Sequence, residues 1–372
     1  MAGYKARIIL TPNHQGLTVT HNRRAVSVVK NLGELQAAGL AMGVEARGLA
    51  AVVENFNMRI TPHVQGLIAA PNASDAIYAQ YVPSLAELIV TPDEMSDPIG
   101  DAAHEKVKGV THRYPDRVLL KPTHTCHVYC RFCFRREKVG RADETLDIVE
   151  MAAALDYIRS HPEIWEVILS GGDPLVLSDR RLGLLMDELS KIQHVQVIRI
   201  HTRSPVADPA RIGDGLIAAL KVRPATYVVV HVNHATEISE EVKLGFAKLV
   251  NAGIPLLSQS VLLKGINNSV ETLSALMKAL VALRVKPYYL HHLDKAKGTE
   301  HFRCSIAEGQ QLMQGLRGQI SGLCLPTYML DIPGGYGKVP IGPSYLQTVD
   351  CKDYHVTNFQ GEAHNYLDSA ED

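Results

Sequence analysis

The sequence predicts an α/β fold, a partial (β/α)6 TIM-like barrel preceded by an N-terminal helical extension, and three observations carry that reading. After residue 110, short apolar runs alternate with amphipathic stretches, the pattern of parallel strands joined by crossover helices. Six such units follow in succession, enough for a partial barrel; an open doubly wound sheet is the alternative that periodicity leaves standing. Finally, the unusual polar groups cluster just after the candidate strands, where both architectures place their chemistry.

The candidate strands run from Arg117 to Lys121, Glu166 to Leu169, Val195 to Ile200, Thr226 to His231, Leu256 to Leu262 and Lys286 to Leu290. The helices between them are expected near 145–160, 178–191, 208–221, 239–252 and 269–284, with another at 305–318 after the last strand. Their apolar residues recur every three or four positions, as in Leu182, Leu185, Met186 and Leu189. Upstream, residues 1 to about 110 read as mainly helical, broken at Pro12, Pro62, Pro71 and Pro83. The acidic terminus GEAHNYLDSAED reads as frayed.

Composition sets bounds on function. The chain of 372 residues is 46% hydrophobic and 21% charged, enough to bury one large core. Its 38 basic and 39 acidic residues leave a formal charge of -1, so no overall charge draws it to nucleic acid or an anionic membrane. No apolar run approaches the roughly 20 residues of a membrane helix, and no secretory pattern opens the chain, so a cytoplasmic protein with a small-molecule substrate is expected. Six cysteines are too sparse for a disulfide scaffold.

Three of those cysteines crowd together in THTCHVYCRFCFRREKVG, where Cys126, Cys130 and Cys133 offer three soft thiolates from one loop. Such a set suits an iron-sulfur cluster with one iron left open. Structural zinc would want a fourth ligand, for which His124 or His127 is available. With Phe132 just before the last cysteine, the motif resembles that of the radical S-adenosylmethionine superfamily. The resemblance implies a [4Fe-4S] cluster on the three cysteines, with S-adenosylmethionine chelating the open iron and cleaved to start hydrogen abstraction. One β-α unit later stands SGGDP, with Ser170, Gly171, Gly172 and Asp173, which fits the superfamily's glycine-rich segment beside the methionyl amine.

Near the end, LDIPGGYGKVPIG shapes an irregular glycine- and proline-rich loop around Lys338. This loop resembles the pyridoxal phosphate lysine loop of the lysine 2,3-aminomutase family. The same family is matched by HRYPDRVLLKPTHTCHVYCRFCFRR, EVILSGGDPL, GIPLLSQSVLLKGIN and KPYYLHHLDKAKGTEHFR, in order along the chain. The resemblance implies that Lys338 holds pyridoxal 5'-phosphate covalently, with Arg113, Tyr114 and Arg117 around that cofactor. It also implies that Gln259 contacts a cofactor in the barrel mouth, that Arg135 binds the substrate carboxylate, and that Asp294 and Asp331 face a distal ammonium, selecting lysine over glutamate. Arg136 reads equally as a structural residue.

The implied division is a helical extension over 1–110, a radical core over 111–300 and a cofactor-binding C-terminal segment over 301–372. The implied reaction converts L-lysine to β-lysine with electrons from a donor protein. HHLDKAKG resembles the branch that modifies elongation factor P, whereas PGGYGKVP resembles the free-lysine branch. Glutamate 2,3-aminomutase and a noncatalytic metal-binding scaffold are the remaining alternatives. The scaffold reading is opposed by the presence of every expected catalytic position. Cys304, Cys324 and Cys351 stand apart from one another, so the C-terminal zinc group of some relatives is absent and a dimer is the favoured homo-oligomer.

Overall fold

The computed structural model describes residues 27–41, 45–70 and 75–369. The extension contributes α1 (Leu32–Ala37), α2 (Glu45–Asn55), α3 (Pro62–Ile68) and α4 (Asp75–Tyr81). Pro62 does not break a helix but opens one, at the first helical position behind the Thr61 cap, where its missing N–H costs nothing. Pro83 follows α4 as expected, and Pro12 and Pro71 lie outside the described residues.

One ten-stranded sheet then dominates, its strands hydrogen-bonded in chain order. An antiparallel hairpin, β1 (Glu105–Val107) and β2 (Val110–Tyr114), leads into β3 (Arg117–Thr123). Parallel strands follow: β4 (Glu166–Gly171), β5 (Val197–Thr202), β6 (Ala225–His231), β7 (Leu256–Val261) and β8 (Val285–His291). These are the six strands read from sequence. A seventh parallel strand, β9 (Thr327–Asp331), pairs with β8, and β10 (Lys338–Pro340) returns antiparallel to it. The fold is thus the expected partial TIM-like barrel with added strands at each margin.

The crossovers are α5 (Ile148–Arg159), α6 (Asp179–Ser190), the pair α7 (Ser204–Ala207) and α8 (Asp214–Leu220), then α9 (Glu240–Asn251), α10 (Val270–Ala282) and α11 (Ile306–Leu316). The single helix expected over 208–221 is instead interrupted. Pro209 opens a short 3-10 turn, and Gly213, extended at the N-cap, starts α8 afresh. Apolar faces of these helices and the strands share one core, from Val110 and Leu120 through Leu182 and Val228 to Tyr328. Within the tail expected to fray, Ala363–Leu367 forms β13, which with β11 (Leu346–Thr348) and β12 (Asp353–Thr357) makes a small exposed antiparallel sheet; residues 370–372 lie outside the described residues. Backbone pairing from His355 to Asn365 explains the order, since alternating polar residues can still complete a ladder.

The extension grips the loop between β3 and α5. Its own core, which includes Leu35, Val52 and Ile77, closes over Val128. Tyr129 and Arg131 donate backbone N–H bonds to Arg59 O and Gln80 O at 3.0 and 2.9 Å. Beneath them Glu87, fully buried, accepts from the Arg131 guanidinium at 2.6–3.1 Å and also pairs with Arg136. Burial alone would raise the Glu87 carboxyl, but the two arginines hold it below the usual carboxylate range. Arg136 further donates to Lys297 O and Gly298 O and lies 3.6 Å over the Phe56 ring, so it is a structural residue. Replacing Glu87 by Ala strands two buried cations; urea denaturation is expected to show a loss of about 3–5 kcal/mol, with Glu87→Gln losing less.

Candidate active site

At the C-terminal ends of the parallel strands opens a cavity of about 590 Å3, inside the roughly 300–1,000 Å3 typical of small-molecule sites. The residues expected to hold cluster, cofactors and substrate all border it, from Arg113 on β2 to Lys338 on β10, whereas His124 and Arg136 do not. Cys126, Cys130 and Cys133 are free thiols on its wall. Among the described residues, no three His, Cys, Asp or Glu side chains are disposed to hold a single metal ion.

Beside the cysteine loop, the end of β4 explains its glycines. Gly171 has φ +100° and a Cβ there would lie 2.6 Å from Thr123 O, while a Cβ on Gly172 would lie 2.4 Å from Thr125 O. The loop therefore rests directly on this backbone, with Gly172 N–H donating to Thr123 O at 2.8 Å and Asp173 N–H to Thr125 O at 2.9 Å. Asp173 was expected to contact a cofactor; its two oxygens instead accept from Leu175 N, Thr202 Oγ1, Arg203 N, Ser204 N and Ser204 Oγ at 2.7–3.0 Å. That saturates a carboxylate, so Asp173 braces the β4 and β5 loops against each other.

Arg135 presents one edge of its fork to Asp101 Oδ2, at 2.9 and 2.7 Å. Its Nη1 reaches Ser170 Oγ and Gly171 O only at 3.3 and 3.4 Å. Burial would raise Asp101, yet Arg135, Lys121 and Arg113 hold its carboxyl down at about 2. Nothing in DPIGDAAH distinguished Asp101 from its neighbours, so the sequence did not reveal it. Gln259 on β7 meets His231 Nε2 at 2.8 Å, and its buried Oε1 is unpartnered. Three imidazoles, His201, His231 and His291, line the interior and are driven toward the neutral form chiefly by burial, His231 to about 3. Each opens one of the polar clusters that follow the candidate strands, HTRSP, HVNH and HHLD, which mark the strand ends without singling out the imidazoles.

The acids and Lys338 meet across the β9–β10 hairpin. Register sets Lys338 opposite Asp331, and Nζ forms an ion pair with Asp331 Oδ2. Asp331 Oδ1 has no hydrogen-bond partner and lies 3.9 Å from Arg113 Nη1. The Lys338 N–H donates to Tyr114 Oη at 2.8 Å, over whose ring Arg117 stacks at 3.9 Å. Asp294, beyond β8, borders the same space; burial and the charge of Asp331 push its carboxyl up to about 7.

Comparison with known proteins gives this arrangement a family. Residues 120–276 match the Radical SAM superfamily model, and residues 313–371 match a Lysine-2,3-aminomutase model. The L-lysine 2,3-aminomutase of Acetoanaerobium sticklandii is 41% identical over 87% of this chain and 78% of its own. The chain belongs to the lysine 2,3-aminomutase family. The Clostridium subterminale L-lysine 2,3-aminomutase is 39% identical, over 87% of this chain and 77% of its own. The Glutamate 2,3-aminomutase of Clostridioides difficile is 38% identical, over 78% of this chain and 69% of its own.

As a radical aminomutase, the chain is an isomerase that works with a [4Fe-4S] cluster, S-adenosylmethionine and pyridoxal phosphate. The site suits all three groups. Three free thiols share one wall, the orphaned Gln259 Oε1 awaits a donor, and the buried Nε of Arg113 has no acceptor within the protein. Gly172→Ala tests the wall directly: the displaced Thr125 carbonyl shifts the residue before Cys126. Reconstituted protein is expected to retain less iron and sulfide per chain than the parent, measured colorimetrically beside an unchanged far-ultraviolet circular dichroism spectrum.

Proposed function

We propose that this aminomutase moves the α-amino group of L-lysine to Cβ, forming β-lysine. The observation that carries the reading is the polarity of the cavity, with Arg135 beside the cysteine loop and two acids, Asp294 and Asp331, sharing the space near Lys338. Identity alone does not choose the substrate, because a glutamate enzyme is nearly as similar as the lysine enzymes. Charge does: an ammonium tail is stabilised by the two carboxylates, whereas a carboxylate tail is repelled by them.

In this reading Cys126, Cys130 and Cys133 hold the cluster, with Ser170, Gly171, Gly172 and Gln259 beside S-adenosylmethionine. Lys338, Arg113, Tyr114 and Arg117 hold pyridoxal phosphate. When bound, these groups supply one-electron hydrogen abstraction and an imine nitrogen able to migrate. The protein's contribution is positional. Asp101 fixes the Arg135 fork, leaving Nη1 for the substrate carboxylate. Gln259, held by His231, keeps a carbonyl oxygen that has no partner within the protein. Neutral imidazoles add no competing positive charge, and apolar walls such as Ile168, Val261 and Met329 exclude water and other hydrogen donors. A donor protein supplying electrons, a homodimer and a cytoplasmic setting complete the proposal; among the described residues no helix is long and apolar enough to cross a membrane.

Anaerobic turnover with lysine and with glutamate, each with reductant and all cofactors, tests the substrate. β-Lysine from lysine alone is the expected product, and β-glutamate alone would reverse the assignment. The raised carboxyl of Asp294 adds a pH signature. Only its ionised form attracts an ammonium, so KM for lysine is expected to rise as pH falls through about 7. Asp294→Asn should flatten that dependence and raise KM by about tenfold or more, the size of a lost charge-assisted contact.

A further inference from the structure

β8 ends at His291, so Asp294 stands beyond the ladder on a loop that must be held by something else. Inside that loop Ala296 N–H donates back to Asp294 O at 2.8 Å, and Thr299 Oγ1 donates to Ala296 O at 2.7 Å. The backbone N–H groups of Gly298 and Thr299, both buried, still need acceptors. One side chain supplies both. Glu94, from the segment between α4 and β1, accepts from Gly298 N at 2.9 Å through Oε2 and from Thr299 N at 3.2 Å through Oε1. Its side chain is fully buried, and its neighbour Met95 bridges to Ala296 and donates its own N–H to Lys295 O at 2.8 Å. Gly298, at φ +71°, comes so close to this segment that a Cβ would lie 2.3 Å from Glu87 O.

The same segment holds the other pole of the cavity. Seven residues after Glu94, Asp101 takes the Arg135 fork at 2.9 and 2.7 Å. The chain between them is itself pinned: Asp97 accepts from the N–H groups of Asp101 and Ala102 at 2.9 and 2.8 Å, and Ile99 O accepts from Arg113 Nη2 at 2.6 Å. Arg135 and Asp294 come from different strand-end loops, yet both are moored to one short piece of chain. Glu94 borders no part of the cavity, so its grip on Asp294 acts through the loop backbone alone.

We propose that Glu94 is a positioning residue for substrate selection: by anchoring Gly298 and Thr299 it holds Asp294 in register with Arg135, at the place where the distal ammonium of lysine arrives. The inference rests on the lysine reading of the cavity and adds what fixes its ammonium end. Without Glu94 two buried N–H groups lose their acceptor and the loop relaxes, and a displacement on the order of 1 Å is enough to spoil a charged contact. Arg303 also donates to Glu94 Oε1, at 2.9 Å, but it has a second partner in Asp93 and does not reach the loop backbone through Glu94's other oxygen.

The full-length holoenzyme, without reductant so that nothing turns over, is titrated by calorimetry with L-lysine and with L-norleucine, which ends at the carbon that carries lysine's distal ammonium. Parent protein prefers lysine. Glu94→Ala is expected to reduce that preference by about tenfold, the scale of one hydrogen bond to a charged group, while norleucine binds as before. Glu94→Gln keeps the shape of the side chain and one acceptor oxygen, so it should lose less, and it carries the comparison if the Ala variant does not fold. Arg303→Gln removes the ion pair but neither loop contact and should keep the preference. Equal weakening of both amino acids in the Glu94 variants would make Glu94 merely structural and overturn the proposal, as would an undiminished preference for lysine. A parent that does not prefer lysine would overturn the lysine reading itself and the proposal with it.

Discussion

A hydrogen bond of 2.8 Å from the Lys338 N–H to the Tyr114 hydroxyl joins the two margins of a sheet whose strands run in order without closing. Much of the site follows from that seam. It fixes β10 against β2, so the register of β10 on β9 can present Lys338 to Asp331 and bring Arg113 to the same carboxylate. The seam also demands glycine. A Cβ on Gly100 would lie 2.5 Å from Gly335 N, and one on Gly337 would lie 2.9 Å from Tyr114 Oη. His104 reinforces it with a 2.9 Å contact to Gly335 O. An open barrel leaves side chains, rather than a ladder, to finish its wall, and those side chains are the ones that carry chemistry.

The second constraint is buried charge. Glu87 neutralises Arg131 and Arg136 beneath the cysteine loop, Glu237 neutralises Arg203, and Asp101 neutralises Arg135. Such pairs add little net stability compared with apolar packing, but breaking one is expensive, which makes them strong locators of geometry. They tie the helical extension to the strand-end loops and give the first part of the chain a role its sequence did not disclose. Glu87 and Gln80 lie in stretches that read only as ordinary helix and turn.

The six central strands were legible because their buried runs, such as Val167, Ile168 and Leu169, are bounded by turn residues and followed by helical periodicity. The marginal strands were not. β9 is only TYMLD, and β1 has a largely exposed pattern, so neither carries enough apolar alternation to announce itself. Motif spacing and family resemblance brought the cysteines, Lys338 and both acids onto one cavity. They missed Asp101, whose significance comes from a partner distant in sequence. Asp173 shows the opposite limit, since the motif gave no sign that its carboxylate takes five donors from the protein itself.

The account joins one cavity, polarised between Arg135 and the acid pair, to one migration of nitrogen along lysine. Its most direct test is anaerobic turnover of lysine carrying heavy nitrogen only at the α position, with the product read by nitrogen magnetic resonance and mass spectrometry. The account predicts that the heavy atom is retained and found on Cβ of β-lysine, with the distal nitrogen unlabelled. Label remaining on Cα, lost to solvent or found at the distal end would contradict it.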